Sequence, residues 1–282
     1  MRRTILFLCG AAAGLAVLSA CGQSVNGSAA AVGSAPTSGA SSSGGVNTVA
    51  ALGELVASHT SGTSAHMSIS VTGTGNVTGS GVVKFGNPVA MDETTSIPGM
   101  GSMEVKIVDN TVYMQLPDSL KSMAGVTTPW VKIDPNGTGP VSQMLNGSLQ
   151  SAEQNSDPSQ MLTRIKSAGT ITSTKTEQLD GAQTTHYTIA VDLQKMVDTG
   201  NLPALQAKSL QQAIQLGLKT ETMQVWVNSA NLPVKFATAI SIPNPAGTGQ
   251  TVNEDVVANF TDWGQPVTVT APPADQVSVL NK

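Results

Sequence analysis

The chain has 282 residues, with 14 basic and 18 acidic side chains, a formal charge of −4 and only 11% charged residues. Arg2, Arg3 and Arg164 are its only arginines, and Cys9 and Cys21 its only cysteines. That is too little guanidinium for recognition of a phosphate backbone, which excludes nucleic acid as a partner, and too few thiols for a disulfide framework or a Cys-ligated metal.

Arg2 and Arg3 form a short basic region, followed by the uncharged apolar run Thr4 to Leu18 and the small residues Ser19 and Ala20. This order predicts a secretory signal peptide over residues 1–20. A permanent membrane span is the weaker reading, because it needs about 20 apolar residues and this run is shorter. "LSAC", Leu18 to Cys21, resembles the lipobox of bacterial lipoproteins, whose cysteine thiol is diacylglycerylated before cleavage on its amino side. The alternative is a signal peptide with an incidental cysteine near its cleavage site. Lipidation is the better reading, since thiols are scarce in exported chains unless paired or modified. A lipidated Cys21 anchors the chain to the extracytoplasmic face of the cell membrane, as each buried acyl methylene contributes about 0.8 kcal/mol.

Gly22 to Thr48 is rich in Gly, Ser and Ala and carries no charge. Such a composition buries too little apolar surface to order itself, so residues 21–48 are expected to be the lipidated terminus and a tether of roughly 30 Å r.m.s. span. Residues 49–282 are expected to form one domain. With Arg2 and Arg3 removed from the 14 basic residues, 12 face 18 acidic ones, a charge of −6.

The domain opens with an apolar-spaced segment, Val49 to Ser58, that predicts a helix. Period-two alternation follows, the mark of strands with one buried face. "HMSISVTG" points Met67, Ile69 and Val71 one way, and "SMEVKIVD" does so with Met103, Val105 and Ile107. "NTVYMQL" aligns Val112 and Met114 with Leu116, and the Asp109-Asn110 pair before it predicts a hairpin turn. Three segments have a helical apolar stripe: 139–154, 157–168 with Asp157 and Pro158 as a capped start, and 202–219 with Leu210 and Ile214 inward. Between and after them, Tyr187, Ile189 and Val191 align, as do Met223, Val225 and Val227, and Val234, Phe236, Ile240 and Ile242. Residues 253–263 predict another strand, and Val267 to Thr270 a short edge segment ended by Pro272 and Pro273.

Strands that follow one another so closely predict an antiparallel sheet, and single-striped helices pack on one face of it. The fold class is α+β: a large curved antiparallel sheet with helices gathered on its concave side. The interior is either a solid core or a cavity. The processed chain has eight aromatic residues and ten methionines; Met deforms to fill uneven space and suits an irregular acyl chain, but the same composition also makes an ordinary core.

Sharper chemistry finds little support. "TGTGNVTGSG" continues into strand rather than a helix N-terminus, so it reads as a glycine-rich hairpin and not a phosphate loop. His59, His66 and His186 have no other ligand at metal spacing, so no metal site is expected. Asp92 with Glu93, and Glu254 with Asp255, are adjacent on strands and face opposite ways, so neither is a catalytic pair; they read as surface charges. No "GxSxG" elbow occurs. No enzyme, catalytic residue or cofactor is expected.

The lipobox, the uncharged tether, "PWVKID" (Pro129 to Asp134) and "DWGQPVTVTAPPADQV" (Asp262 to Val277) together resemble the LppX/LprG-type family of actinobacterial envelope lipoproteins. That resemblance, which extends to LolA-type carriers, implies a half-barrel sheet closed by helices around an apolar cavity that binds acylated lipids or glycolipids. It places the ligand loosely along the inward stripes: Met67, Ile69, Val71, Met103, Val105, Ile107, Val112, Met114, Ile189, Val191, Val225, Val227, Leu210 and Ile214. It implies a membrane-anchored carrier or presenter of lipid, with an envelope transporter or acceptor as possible partner. The alternative on the same scaffold is a sensor or docking lipoprotein similar to RseB-type regulators, which binds a protein and transports no lipid.

Overall fold

A computed structural model describes residues 46–280 apart from 74–75, 87, 100, 119–120, 123–124, 134–156, 200–201, 203 and 244–250. The expected signal peptide, Cys21, most of the tether and the helix expected within 139–154 lie outside the described residues.

Helix α1 (Val49–Thr60) starts where the Thr48 side chain accepts from the Ala51 N–H at 3.1 Å, which satisfies one of the open amides of the first turn. Val49, Leu52, Gly53, Val56 and Thr60 form its buried stripe. α2 (Pro158–Ile165) is capped as its sequence predicts: Asp157 accepts from the Ser159 N–H at 2.8 Å, and Pro158 takes the first turn. The two helices pack together. A Cβ on Gly53 would sit 3.4 Å from Leu162 Cβ, so the two helices meet at these residues.

The described residues form twelve strands: β1 (Ser64–Thr72), β2 (Val77–Lys84), β3 (Ala90–Ile97), β4 (Gly101–Val108), β5 (Thr111–Gln115), β6 (Trp130–Ile133), β7 (Gly169–Leu179), β8 (Ala182–Asp192), β9 (Thr220–Asn228), β10 (Pro233–Pro243), β11 (Thr251–Thr261) and β12 (Val277–Leu280). They make one sheet in the order β12-β6-β5-β4-β3-β2-β1-β11-β10-β9-β8-β7. The sheet is open, since its edges β12 and β7 do not pair, and every neighbouring pair is antiparallel except β12 with β6. Asp109 and Asn110 turn β4 into β5 with φ of 50° and 56°, the two left-handed positions of a tight hairpin, and Asp180-Gly181 does the same between β7 and β8.

The inner face carries the core. Met67, Ile69, Met91, Met103, Ile107, Met114, Ile189, Val225, Phe236 and Phe260 belong to one continuous buried cluster with Leu52, Val56 and Leu162 of the helices. Short α3 (Leu193–Asp198) and α4 (Ala204–Gln215) pack on each other, and α3 also touches β8. A Cβ on Gly169 would meet both Val49 Cγ2 and Ile189 Cγ2 at 3.1 Å, which locates α1 over the inner face at β7 and β8. This is the expected α+β architecture, with helices on one face of a large antiparallel sheet.

The sequence expectation departs from the structure at three places. Val267 to Thr270 forms no strand; the chain leaves β11 in mid-sheet and crosses to the far edge, where Val277 pairs with Trp130 and Leu280 with Ile133. β7 escapes periodicity because it is an edge strand whose residues are largely exposed Thr, Ser and Lys. β3 escapes because two of its inward positions, Glu93 and Thr95, are polar.

Candidate functional site

Eleven of the fourteen inward residues expected from the sequence are buried: Met67, Ile69, Met103, Ile107, Val112, Met114, Ile189, Val191, Val225, Val227 and Leu210. Val71, Val105 and Ile214 are partly buried and pack against the same cluster. An open cleft lies elsewhere on the inner face, and none of the fourteen lines it.

α2 and α3 contribute Met161, Arg164, Ile165 and Met196 to the cleft; β9 contributes Glu221 and Met223; β10 contributes Phe236 to Thr238 and Ile240; β11 contributes Val256 and Ala258. The lining is aliphatic, with three methionines whose unbranched thioethers accommodate irregular shapes. Several of these residues belong to stripes legible in the sequence: Met223 shares one with Val225 and Val227, and Phe236 shares one with Ile240. What periodicity lacks is the crossing of α2 and α3 over β9, β10 and β11, which selects one stretch of the inner face as the cleft.

Three carboxyls stand on the inner face: Glu93, Glu221 and Glu254, at 3%, 5% and 5% exposure. The adjacent-acid reading was right about geometry and wrong about exposure. Asp92 faces outward and receives Lys106 Nζ at 2.6 Å, whereas Glu93 turns inward over Gly79. Burial pushes the Glu93 carboxyl up to about 7, against the weak pull of the Thr95 hydroxyl at 3.4 Å. Burial alone pushes Glu221 up to about 8 and raises Glu254. Glu221 Oε1 and Glu254 Oε1 have no hydrogen-bond partner. Each is a charge in the inward phase of its strand, two residues from Met91, Met223 or Val256, and its burial follows only once other elements cover that phase.

Glu221 is the carboxyl that lines the cleft. Glu254 is cross-strand from Ile240, another lining residue, so its backbone borders the same end. Arg164, the arginine of residues 49–282, lines the cleft from α2, where burial lowers its pKa. The site thus combines an aliphatic wall, one guanidinium and one buried carboxyl.

On the outer face, the His186 ring stacks on Trp226 with centroids 4.1 Å apart. Its Nδ1 lies 3.0 Å from Glu177 Oε1, within ion-pair range but out of line for a hydrogen bond. His59 and His66 are exposed, the latter 3.3 Å from Asp262. Among the described residues, no group of three His, Cys, Asp or Glu is placed to hold a metal, and no helix is long and apolar enough to cross a membrane.

No protein-family model matches the chain, and no curated protein matches it at a significant level. Among solved structures, it is similar to the lipoprotein LppX of Mycobacterium tuberculosis, with 15% identity, a TM-score of 0.42, and coverage of 79% of this chain and 98% of that one. It is also similar to LprF of Mycobacterium bovis, with 15% identity, a TM-score of 0.43, and coverage of 79% and 96%. For the MucA/MucB complex structure of Pseudomonas aeruginosa the identity is 13%, the TM-score 0.36 and the coverage 81% and 59%. Among the described residues the chain's own topology is an open and mostly antiparallel sheet of twelve strands with helices on its inner face, the α+β architecture that the sequence predicts.

Proposed function

We propose that this chain is an envelope lipoprotein, held at the extracytoplasmic membrane face by a diacylglyceryl group on Cys21, whose domain binds acyl chains and carries or presents them to an envelope transporter or acceptor. The observation that carries the reading is the cleft between α2, α3 and strands β9 to β11, with Met161, Met196, Met223, Phe236 and Ile240 in its wall. Concave sites with a mostly apolar lining and a few polar groups are the usual form of a small-ligand site. The uncharged Gly-, Ser- and Ala-rich composition of residues 22–48 supports the reading, because a chain of that composition and length spans roughly 30 Å and would let an anchored domain reach beyond the headgroups. The function needs no reacting side chain.

The test is solvent extraction and mass spectrometry of the mature chain carrying Cys21→Ala, which removes the covalent lipid and leaves only what the fold retains. Acyl lipid in near-stoichiometric amount is the expected result. A chain that is lipid-free and takes up no acyl probe overturns the reading, and the protein-docking alternative on the same scaffold then takes its place.

A further inference from the structure

Glu221 stands in the wall of a cleft whose other β9 lining residue is Met223. It takes the inward phase of the strand and is 5% exposed. Its cross-strand neighbour on β8 is Val191, and the pairing of Thr222 with Ala239 sets it beside Ile240 of β10. Met161, Ile165 and Met196 line the same cleft from the helices. None of these side chains offers a hydrogen bond beyond the weak thioether acceptor, and Glu221 Oε1 is buried without a hydrogen-bond partner. A buried polar atom left unmatched costs free energy, and in the wall of an open cleft a ligand can return it.

We infer that the cleft selects lipids that carry a hydroxyl group, which hydrogen-bonds Glu221 Oε1 while the hydrocarbon chain lies along the methionines. This deepens the lipid-binding reading and rests on it. Burial pushes the Glu221 carboxyl up to about 8, so at neutral pH it is largely the neutral acid, with one oxygen that donates and one that only accepts. Oε1 is unmatched in either role. An ether or ester oxygen matches it only if it donates. An ammonium matches it only if it accepts, and gains most by ionising Glu221 against its burial. A hydroxyl both donates and accepts, so it matches Oε1 whichever oxygen carries the proton.

The other charged groups near the cleft do not fill this role. Arg164 lines it but is itself engaged, and the inference asks nothing of it. Glu254 pairs with Ile240 from the β11 side, so the two carboxyls flank that residue, and Glu254 Oε1 is also unmatched. Glu254 is outside the lining of the cleft, however, which makes it the control: the same residue type beside the same isoleucine, without access to the ligand.

The experiment titrates dodecanol, dodecyl methyl ether and dodecylamine by calorimetry at neutral pH into the delipidated mature chain carrying Cys21→Ala, and into the same chain with Glu221→Leu, Glu221→Gln or Glu254→Leu added. The probes differ in their own hydration, so the quantity read is the change in the alcohol-to-ether affinity ratio on substitution. Glu221→Leu, close in size and apolar like its neighbours, is expected to lower that ratio about fivefold to tenfold, the loss of one net hydrogen bond. Glu221→Gln, whose amide still donates and accepts, should keep the ratio, and so should Glu254→Leu. A ratio that Glu221→Leu leaves unchanged, as when water and not ligand matches the carboxyl, overturns the inference and leaves the lipid-binding reading standing. So does a ratio lowered as far by Glu254→Leu, or a greater loss of amine than of alcohol affinity in Glu221→Leu. Binding of none of the three probes overturns both.

Discussion

The indole Nε1 of Trp226 on β9 donates to Glu177 Oε1 on β7 at 2.6 Å, passing over β8 between them. His186 of β8 stacks beneath the indole, and Lys235 Nζ of β10 lies 4.9 Å from the ring centroid. Four strands are thereby tied on the outer face, next to the β7 edge of the sheet.

The Trp226 N–H, helped by Lys175 and His186, holds the Glu177 carboxyl below the usual carboxylate range. A depressed folded pKa means stability that is present above the unfolded value, about 4.5, and lost as pH falls through the folded one. Trp226→Phe keeps a ring on His186 and removes only the donor. It should lower the melting temperature at neutral pH, and the gap to the wild type should narrow as pH falls from about 7 to about 3. A gap that stays constant over that range would assign the whole effect to stacking.

Glu93 has the opposite sign. Its folded pKa, raised to about 7, gives no penalty below the unfolded value of 4.5; the penalty grows between the two and is constant above. The wild type should therefore lose on the order of 3 kcal/mol across that window relative to Glu93→Gln, which keeps a polar group beside Thr95 but does not ionise. Glu221 and Glu254 add to the same trend. Urea unfolding at about pH 5 and about pH 8 checks it: the acidic condition should be the more stable for the wild type, and the difference should shrink in Glu93→Gln.

Gly81 of β2 lies against β3 so closely that an added Cβ would collide with Asp92 O and come within 2.8 Å of Glu93 Cα. Both are backbone atoms and cannot rotate aside. Gly81→Ala should cost about 3 kcal/mol or more, by forcing β2 away from β3. Gly62→Ala is the comparison: it has open space around it and a φ of +78°, so only the left-handed strain of about 1 kcal/mol applies. Equilibrium unfolding of the two variants should rank them in that order.

Ala258 pairs with Phe236 and Ile69 across its neighbouring strands and lines the cleft. In Ala258→Trp the indole enters space that the ligand would occupy, so acyl-probe affinity should fall about tenfold or more, by displacement of buried chain. Val105→Trp tests the other half of the inner face. Val105 lies opposite Glu93 and Met114, outside the cleft, so the larger ring should cost about 1 to 3 kcal/mol by overpacking and leave probe binding intact. Reversal of the two outcomes would move the ligand to the β3 to β5 half of the sheet. Lys106, next in the chain, is no neutral control, because its Nζ bridges Asp92 at 2.6 Å and Glu104 at 2.9 Å.

The strands with an apolar inward phase were legible from the chain alone, because a period of two is set by backbone geometry before any partner is known. Met67, Ile69, Met103, Ile107, Val225 and Val227 are buried for that reason. The Asp109-Asn110 turn and the Asp157-Pro158 helix start were legible too, since each satisfies a local backbone requirement. Strand β3 and the burial of Glu93, Glu221 and Glu254 were not, because a charged residue in the inward phase becomes buried only when other elements cover it. The parallel pairing of β12 with β6, and the cleft under α2 and α3, likewise depend on contacts between segments distant in sequence. Periodicity determines which side of a strand faces inward; only the packing of helices on the sheet decides where that inward face is filled by its own side chains and where it is left open.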